Sequence, residues 1–214
     1  MSEKSLGDRC KEYEEVSKFK LTRRMPMIIR VDGRAFHTWT RGLEKPFSIA
    51  LMNCLTDATL LTCKEVSGAK LAYIFSDEVS ILVTDYDELT TQAFFDKEVQ
   101  KLCSVTASIF TAHFNKMAAE QNELCDKPPA TFDTRCFVLP KEEVCNYFVW
   151  RQNEAVRNSI QGLAQANFSH KTIQGLKNNE LQDKLHNEKN INWNDIDVWK
   201  RRGACIWKTD EGYV

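Results

Sequence analysis

The stretch MIIRVDGRAFH, residues 27–37, carries an apolar run from Met27 to Val31 straight into Asp32-Gly33. Asp-Gly is a common turn dipeptide, so the first reading is a buried strand that ends in a turn. A second pair of strand-like runs changes that reading. KLAYIF (70–75) and VSILVT (79–84) are rich in β-branched and aromatic residues and flank Ser76-Asp77-Glu78.

The rest of the chain supplies the order. Residues 5–24 read as a charged helix. Residues 47–66 place Ile49, Met52, Leu55, Leu60 and Cys63 at helical spacing, and Gly68 is a stop. Residues 90–119 repeat the pattern with Phe94, Phe95, Val99, Leu102, Val105 and Ile109. After Pro128-Pro129, residues 132–139 read as a fourth strand, Pro140 ends it, and a helix is expected over 141–165. Beyond lie polar, Asn-rich segments of weak periodicity and a short strand-like stretch at 203–207. Strand, helix, strand, strand, helix, strand is the split βαβ order of ferredoxin-like folds. The expected class is α+β: a palm-like antiparallel sheet with helices on one face, residues 1–140, and a C-terminal helical and irregular extension, 141–214. In this topology the first and third strands run antiparallel as neighbours. Asp32 therefore falls beside Asp77 and Glu78.

Composition is that of an ordinary folded chain of 214 residues, 43% hydrophobic and 28% charged, with a formal net charge of −1. The balance advertises no nucleic-acid partner by bulk charge, although a local basic face is compatible with it. Eight cysteines include no Cys-x-x-Cys pair, and none sits at zinc-ligand spacing from a histidine. With no apolar signal core at the N-terminus and no run of transmembrane length, a reduced cytoplasmic protein is expected.

Adjacent carboxylates repel and call for cations. Oxygen donors without His or Cys favour a hard ion such as Mg²⁺, which takes one or two carboxylates together with substrate phosphates. Two metals on paired Asp side chains recur in phosphoryl and nucleotidyl transfer. Gly33 lets the backbone approach a ligand closely. The amides from Arg34 to His37 can turn toward phosphate oxygens, and Lys45 and Ser76 stand where a triphosphate would be met.

The residues then take on a family likeness. RVDGRAFHTWT (30–40) followed by Lys45-Pro46 resembles the nucleotide-binding segment of tRNA-histidine guanylyltransferases, and FSDEVSIL (75–82) resembles that family's second metal segment. FDTRCFVLP (132–140) and YFVWRQNEAVRNSI (147–160) match in order and spacing. The resemblance implies a polymerase-like palm working in the 3′–5′ direction. A tRNA 5′ end is activated by ATP or GTP and attacked by the 3′-hydroxyl of an incoming nucleotide. It further implies that Asp32, the Gly33 carbonyl and Asp77 hold two Mg²⁺, with Glu78 a supporting catalytic carboxylate. Asp32, Gly33, Arg34, Ala35, Phe36, His37, Lys45, Ser76 and Asp77 would contact the triphosphate, with Lys101 as a cation near the activated end. Arg135, Arg151, Gln152, Arg157 and Asn158 would contact RNA. Family members resemble homotetramers, built as dimers of dimers.

One departure is informative. Enzymes that act on tRNA-histidine carry His-Ile-Asn-Asn-Leu-Tyr shortly after Trp-Arg-Gln, whereas this chain continues from Trp150-Arg151-Gln152 to Arg157-Asn158-Ser159-Ile160. That resembles the guanylyltransferase-like branch, which implies templated repair of 5′-truncated tRNA over addition of an extra guanosine to tRNA-histidine. A palm-fold nucleotidyl cyclase and a non-catalytic RNA-binding module stay open as alternatives.

Overall fold

The computed structural model describes residues 4–214; residues 1–3 of the expected palm domain lie outside the described residues. The elements are α1 (Leu6–Glu15), β1 (Met27–Gly33), α2 (Phe36–Trp39), α3 (Ile49–Glu65), β2 (Ala69–Phe75), β3 (Glu78–Val83), α4 (Val99–Ala119), β4 (Phe132–Val138), α5 (Val144–Asn167), α6 (His170–Ile173), α7 (Asn178–Lys189), α8 (Val198–Arg202), β5 (Ala204–Thr209) and β6 (Gly212–Tyr213). The sheet order is β4-β1-β3-β2-β5-β6, and every neighbouring pair is antiparallel. The expected palm order is the first four of these strands.

Strand alternation decides the faces. Met27, Ile29 and Val31 of β1 join Val79, Ile81 and Val83 of β3 in the main core, which α3 and α4 cover. An aromatic nest of Phe36, Phe110, Phe114 and Phe132 closes that core at the Asp32 end of β1, with ring centroids 4.7–5.8 Å apart. Ile28 points to the other face, where Leu139 and Tyr147 pack on it and α5 begins its course. Ser48 caps α3 by accepting from the Leu51 amide at 3.2 Å.

Three expectations about element bounds are corrected. The helix expected over 5–24 ends at Glu15. Its continuation turns back along the sheet, where Lys20 bridges Glu98 and the Arg24 amide donates to both Asp85 oxygens at 3.0 and 2.9 Å. The helix expected from 90 starts only at Val99, because Phe95, Asp96 and Lys97 take left-handed φ values of 45, 50 and 57°. This turn buries Lys97 against Asp85 at 3.0 Å, with Lys97 donating to the Thr22 and Met25 carbonyls at 2.9 and 2.8 Å. The Asn-rich segment is more ordered than its periodicity suggests. Leu181 and Leu185 of α7 and Trp193 form a second core with Ile160, Leu163 and Ala164 of α5. β5 then hydrogen-bonds to β2, so the C-terminal segment contributes strands to the sheet as well as helices.

Candidate active site

The register places Asp32 directly opposite Glu78 on β3 and directly opposite Asp133 on β4. Because directly paired residues share a face, three carboxylates lie in a row across three strands. One pleat behind them Arg30 pairs with Ser80 on one side and with Arg135 on the other. Like charges directly opposite repel, and this second row of cations offsets the first.

Asp77 sits in the two-residue turn between β2 and β3. Ser76 before it has φ 55°, the left-handed geometry that a tight hairpin demands and a non-glycine residue seldom adopts. The Ser76 hydroxyl donates to Asp77 Oδ1 at 2.9 Å. The Gly33 amide donates to the Asp77 carbonyl at 3.1 Å, which fastens the turn before β3 to the end of β1. Burial pushes the Asp77 carboxyl above its ordinary pKa against the pull of the Ser76 hydroxyl, and the Asp32 charge adds to the rise. The Asp32 carboxylate itself receives no hydrogen bond from within the chain among the described residues. Two carboxylates held together, one of them unpartnered, with backbone oxygens at hand, form a donor set suited to a hard divalent cation. Among the described residues no group of three or more His, Cys, Asp or Glu side chains is placed to hold a metal.

Gly33 is needed for a reason the sequence did not reveal. A Cβ there would lie 2.3 Å from Cδ2 of Phe36, whose ring folds back over the glycine. Ala35, with φ 53°, turns the chain into α2. The Arg34 amide is spent on the Thr131 carbonyl at 2.9 Å, contrary to the expectation that it faces phosphate. The amides of Ala35, Phe36 and His37 donate to no acceptor within the chain among the described residues. The His37 side chain is exposed and the Phe36 ring is core.

Beside the carboxylates opens a cleft of about 200 Å³, lined by Lys45, Phe47, Ser76, Asn158, Trp199 and Lys200 among others. It unites three of the expected residues, Lys45, Ser76 and Asn158. Trp199 approaches Phe47 edge-on at 6.3 Å, and two lysines, Lys45 and Lys200, share the lining with Glu44.

Other expectations shift. Glu78 is no free carboxylate: Arg151 Nε and Nη2 donate to its two oxygens at 2.8 Å each, and Arg30 Nε stands 3.9 Å away. Burial still raises the Glu78 carboxyl above its ordinary value, with the two arginines pulling it back. Arg151 is thereby buried and committed to Glu78, which removes it from the candidate RNA contacts. Lys101 stands in the first turn of α4 beside Glu98, at 3.4 Å. That turn begins where Lys97 reaches Met25, just before Met27, and Asp32 lies five residues further along β1, about 16 Å at strand rise. Lys101 is outside the carboxylate site of its own chain. Arg135, Gln152, Arg157 and Asn158 are exposed; Arg157 pairs with Glu154 at 2.8 Å and Arg135 with Asp133 at 3.4 Å. Sequence reasoning missed Arg30 and Asp133. An arginine two residues before Asp32 in a strand shares its face, and that signal was present.

The family model of tRNAHis guanylyltransferase matches residues 7–140. A bacterial tRNA(His) guanylyltransferase-like protein, solved in complex with ATP, is 51% identical, with TM-score 0.95 over 98% of this chain and 91% of that one. One solved with GTP is 45% identical, with TM-score 0.81 over 96% and 85%. In Dictyostelium discoideum a protein named "Probable tRNA(His) guanylyltransferase" is 29% identical over 92% of this chain and 82% of its own length. The chain belongs to the tRNA(His) guanylyltransferase family of nucleotidyltransferases.

Proposed function

We propose that this enzyme extends the 5′ ends of truncated tRNAs in the 3′–5′ direction, each added nucleotide being chosen by pairing with the 3′ strand of the acceptor stem. The observation that carries the chemistry is the Asp32–Asp77 pair, fastened by the Gly33 amide beside a cleft that holds Lys45 and Ser76. Asp32, Asp77 and the Gly33 carbonyl would hold Mg²⁺, which supplies charge neutralisation at the phosphates and activation of an attacking oxygen. Lys45 and Ser76 would steady the triphosphate, with the amides of Ala35 to His37 turned toward its oxygens. ATP and GTP as substrates are supported by the bacterial relatives solved with each. In the first step the tRNA 5′-phosphate attacks the nucleotide α-phosphate and pyrophosphate leaves; in the second the 3′-hydroxyl of the incoming nucleotide attacks that activated end and the nucleoside monophosphate leaves.

Repair is favoured over guanosine addition to tRNA-histidine by the segment after Trp150-Arg151-Gln152. Ser159 in it is buried, donates to the Val156 carbonyl at 2.8 Å and accepts from Trp193 Nε1 at 3.0 Å, while Asn158 lines the cleft. Where relatives acting on tRNA-histidine carry a His-Ile-Asn-Asn-Leu-Tyr motif, this chain builds helix packing and cleft wall. The family match over 7–140 supports a palm of residues 1–140 with 141–214 as extension. Assembly as a dimer of dimers belongs to the same reading, since α1 buries none of its residues within the protomer.

Incubation of a 5′-truncated tRNA with ATP, the four triphosphates and Mg²⁺ tests the reading. Stepwise extension that halts at a full acceptor stem is expected. Guanosine addition confined to tRNA-histidine, without a complementary template base, would replace it with the other activity.

A further inference from the structure

We infer that Arg151, on α5 outside the span matched by the family model, is a positioning residue that holds the Asp77 turn in its cation-binding geometry through Glu78. This rests on the reading that Asp77 helps hold the divalent cation.

Ser76 stands in the left-handed region, and such a residue stays there only where its surroundings over-determine it. The turn has two anchors. On one side the Asp77 carbonyl takes the Gly33 amide at 3.1 Å. On the other, Glu78, the next residue, is gripped by Arg151 at both oxygens, 2.8 Å each. The two side chains are nearly buried, 12% and 11% exposed, so water does not compete for the fork. Arg30 stands 3.9 Å from Glu78, beyond hydrogen-bond reach, and leaves the two-point grip to Arg151. Without Arg151, Glu78 would be a buried carboxylate facing Asp32 with no bonded counterion. It would turn toward water and pull the adjoining Asp77 with it, or drive Asp32 away. Either movement spoils a cation site that needs both carboxylates at fixed separation.

α5 also reaches the sheet through Tyr147, whose hydroxyl bonds the Ser80 hydroxyl at 2.8 Å. That contact reaches Glu78 only through Ser80, whose hydroxyl stands 3.4 Å from Glu78 Oε1, and its loss leaves both Arg151 bonds in place, so it separates the role of the fork from mere attachment of α5.

The test is Mn²⁺ binding to the full chain without RNA or nucleotide, read by electron paramagnetic resonance, with thermal unfolding as the check of folding. Arg151→Met is expected to weaken Mn²⁺ binding at least tenfold. Arg151→Lys, which keeps the charge but loses the planar fork, should weaken it about threefold, and it carries the test should the methionine variant not fold. Tyr147→Phe is expected to bind Mn²⁺ as the parent does. Parent-like binding by the Arg151 variants, or an equal loss in Tyr147→Phe, would overturn the inference. Asp77→Ala supplies the separate control: if it binds Mn²⁺ as tightly as the parent, the cation reading of the turn falls, and the role of Arg151 falls with it.

Discussion

The amide of Gly33 donates to the carbonyl of Asp77 at 3.1 Å, so the turn that ends β1 and the turn that precedes β3 are one structural unit. That bond explains how two short, individually unremarkable sequence signals form a single site. Asp32 and Asp77 become neighbours because antiparallel pairing of β1 with β3 puts the end of one against the start of the other.

Replacing Asp32 or Asp77 with alanine should reduce 5′-nucleotide addition by about 10³-fold, the scale of removing a group that stabilises transition-state charge. The fold should survive Asp32→Ala, because no hydrogen bond within the chain depends on that carboxylate among the described residues. Single-turnover extension assays beside circular dichroism check both halves.

Gly33→Ala should destabilise the chain by about 1–3 kcal/mol, the range for an overpacked site. The added Cβ would meet the Phe36 ring at 2.3 Å, and that ring is itself wedged against Trp39 and Phe132, each 5.0 Å away. Thermal unfolding should show a drop of roughly 2–4 °C per kcal/mol for a chain of this size.

Asp77→Asn should raise the melting temperature of the metal-free protein at neutral pH while abolishing activity. Burial and the Asp32 charge disfavour the ionised form of Asp77 in the folded chain. Between the ordinary carboxylate value and the raised one, the folded state holds a proton that the unfolded chain has lost, so stability falls as pH rises through that window. The advantage of asparagine should therefore be full above the window and vanish below the ordinary value of 3.8, where both states are protonated. Melting curves across pH in a chelator read it directly.

The strands were legible because short apolar runs rich in β-branched and aromatic residues, 27–31, 70–75 and 79–84, stand between turn residues, and the carboxylate pairing followed from the order of strands and helices. The clamp on Glu78 was not legible: it depends on where α5 crosses the sheet, and nothing local to Trp150-Arg151-Gln152 encodes that crossing. Lys101 entered the site through the family resemblance alone; in the fold, α4 starts just after Lys97, which donates to the Met25 carbonyl beside the Met27 end of β1. Arg30 was overlooked inside an apolar run, although its spacing from Asp32 put it on the same face. The second core escaped because Leu181, Leu185 and Trp193 are sparse among Asn and charged residues, and they become apolar layers only once α5 supplies the opposing face.

That second core should matter to stability. Leu185 is fully buried, and Leu185→Ala should cost about 2–5 kcal/mol. Denaturant titration checks the figure, with the expectation that α7 detaches before the sheet.

The most direct test of templated 5′ repair exchanges the template. A tRNA lacking its first 5′ nucleotide is offered with all four triphosphates, ATP and Mg²⁺, in versions that differ only in the 3′-strand base facing the gap. Incorporation should follow the complement of that base in each version, stop when the stem is full, and disappear in Asp32→Ala. Addition of guanosine whatever base stands opposite, or no addition to any of the RNAs, would contradict the account.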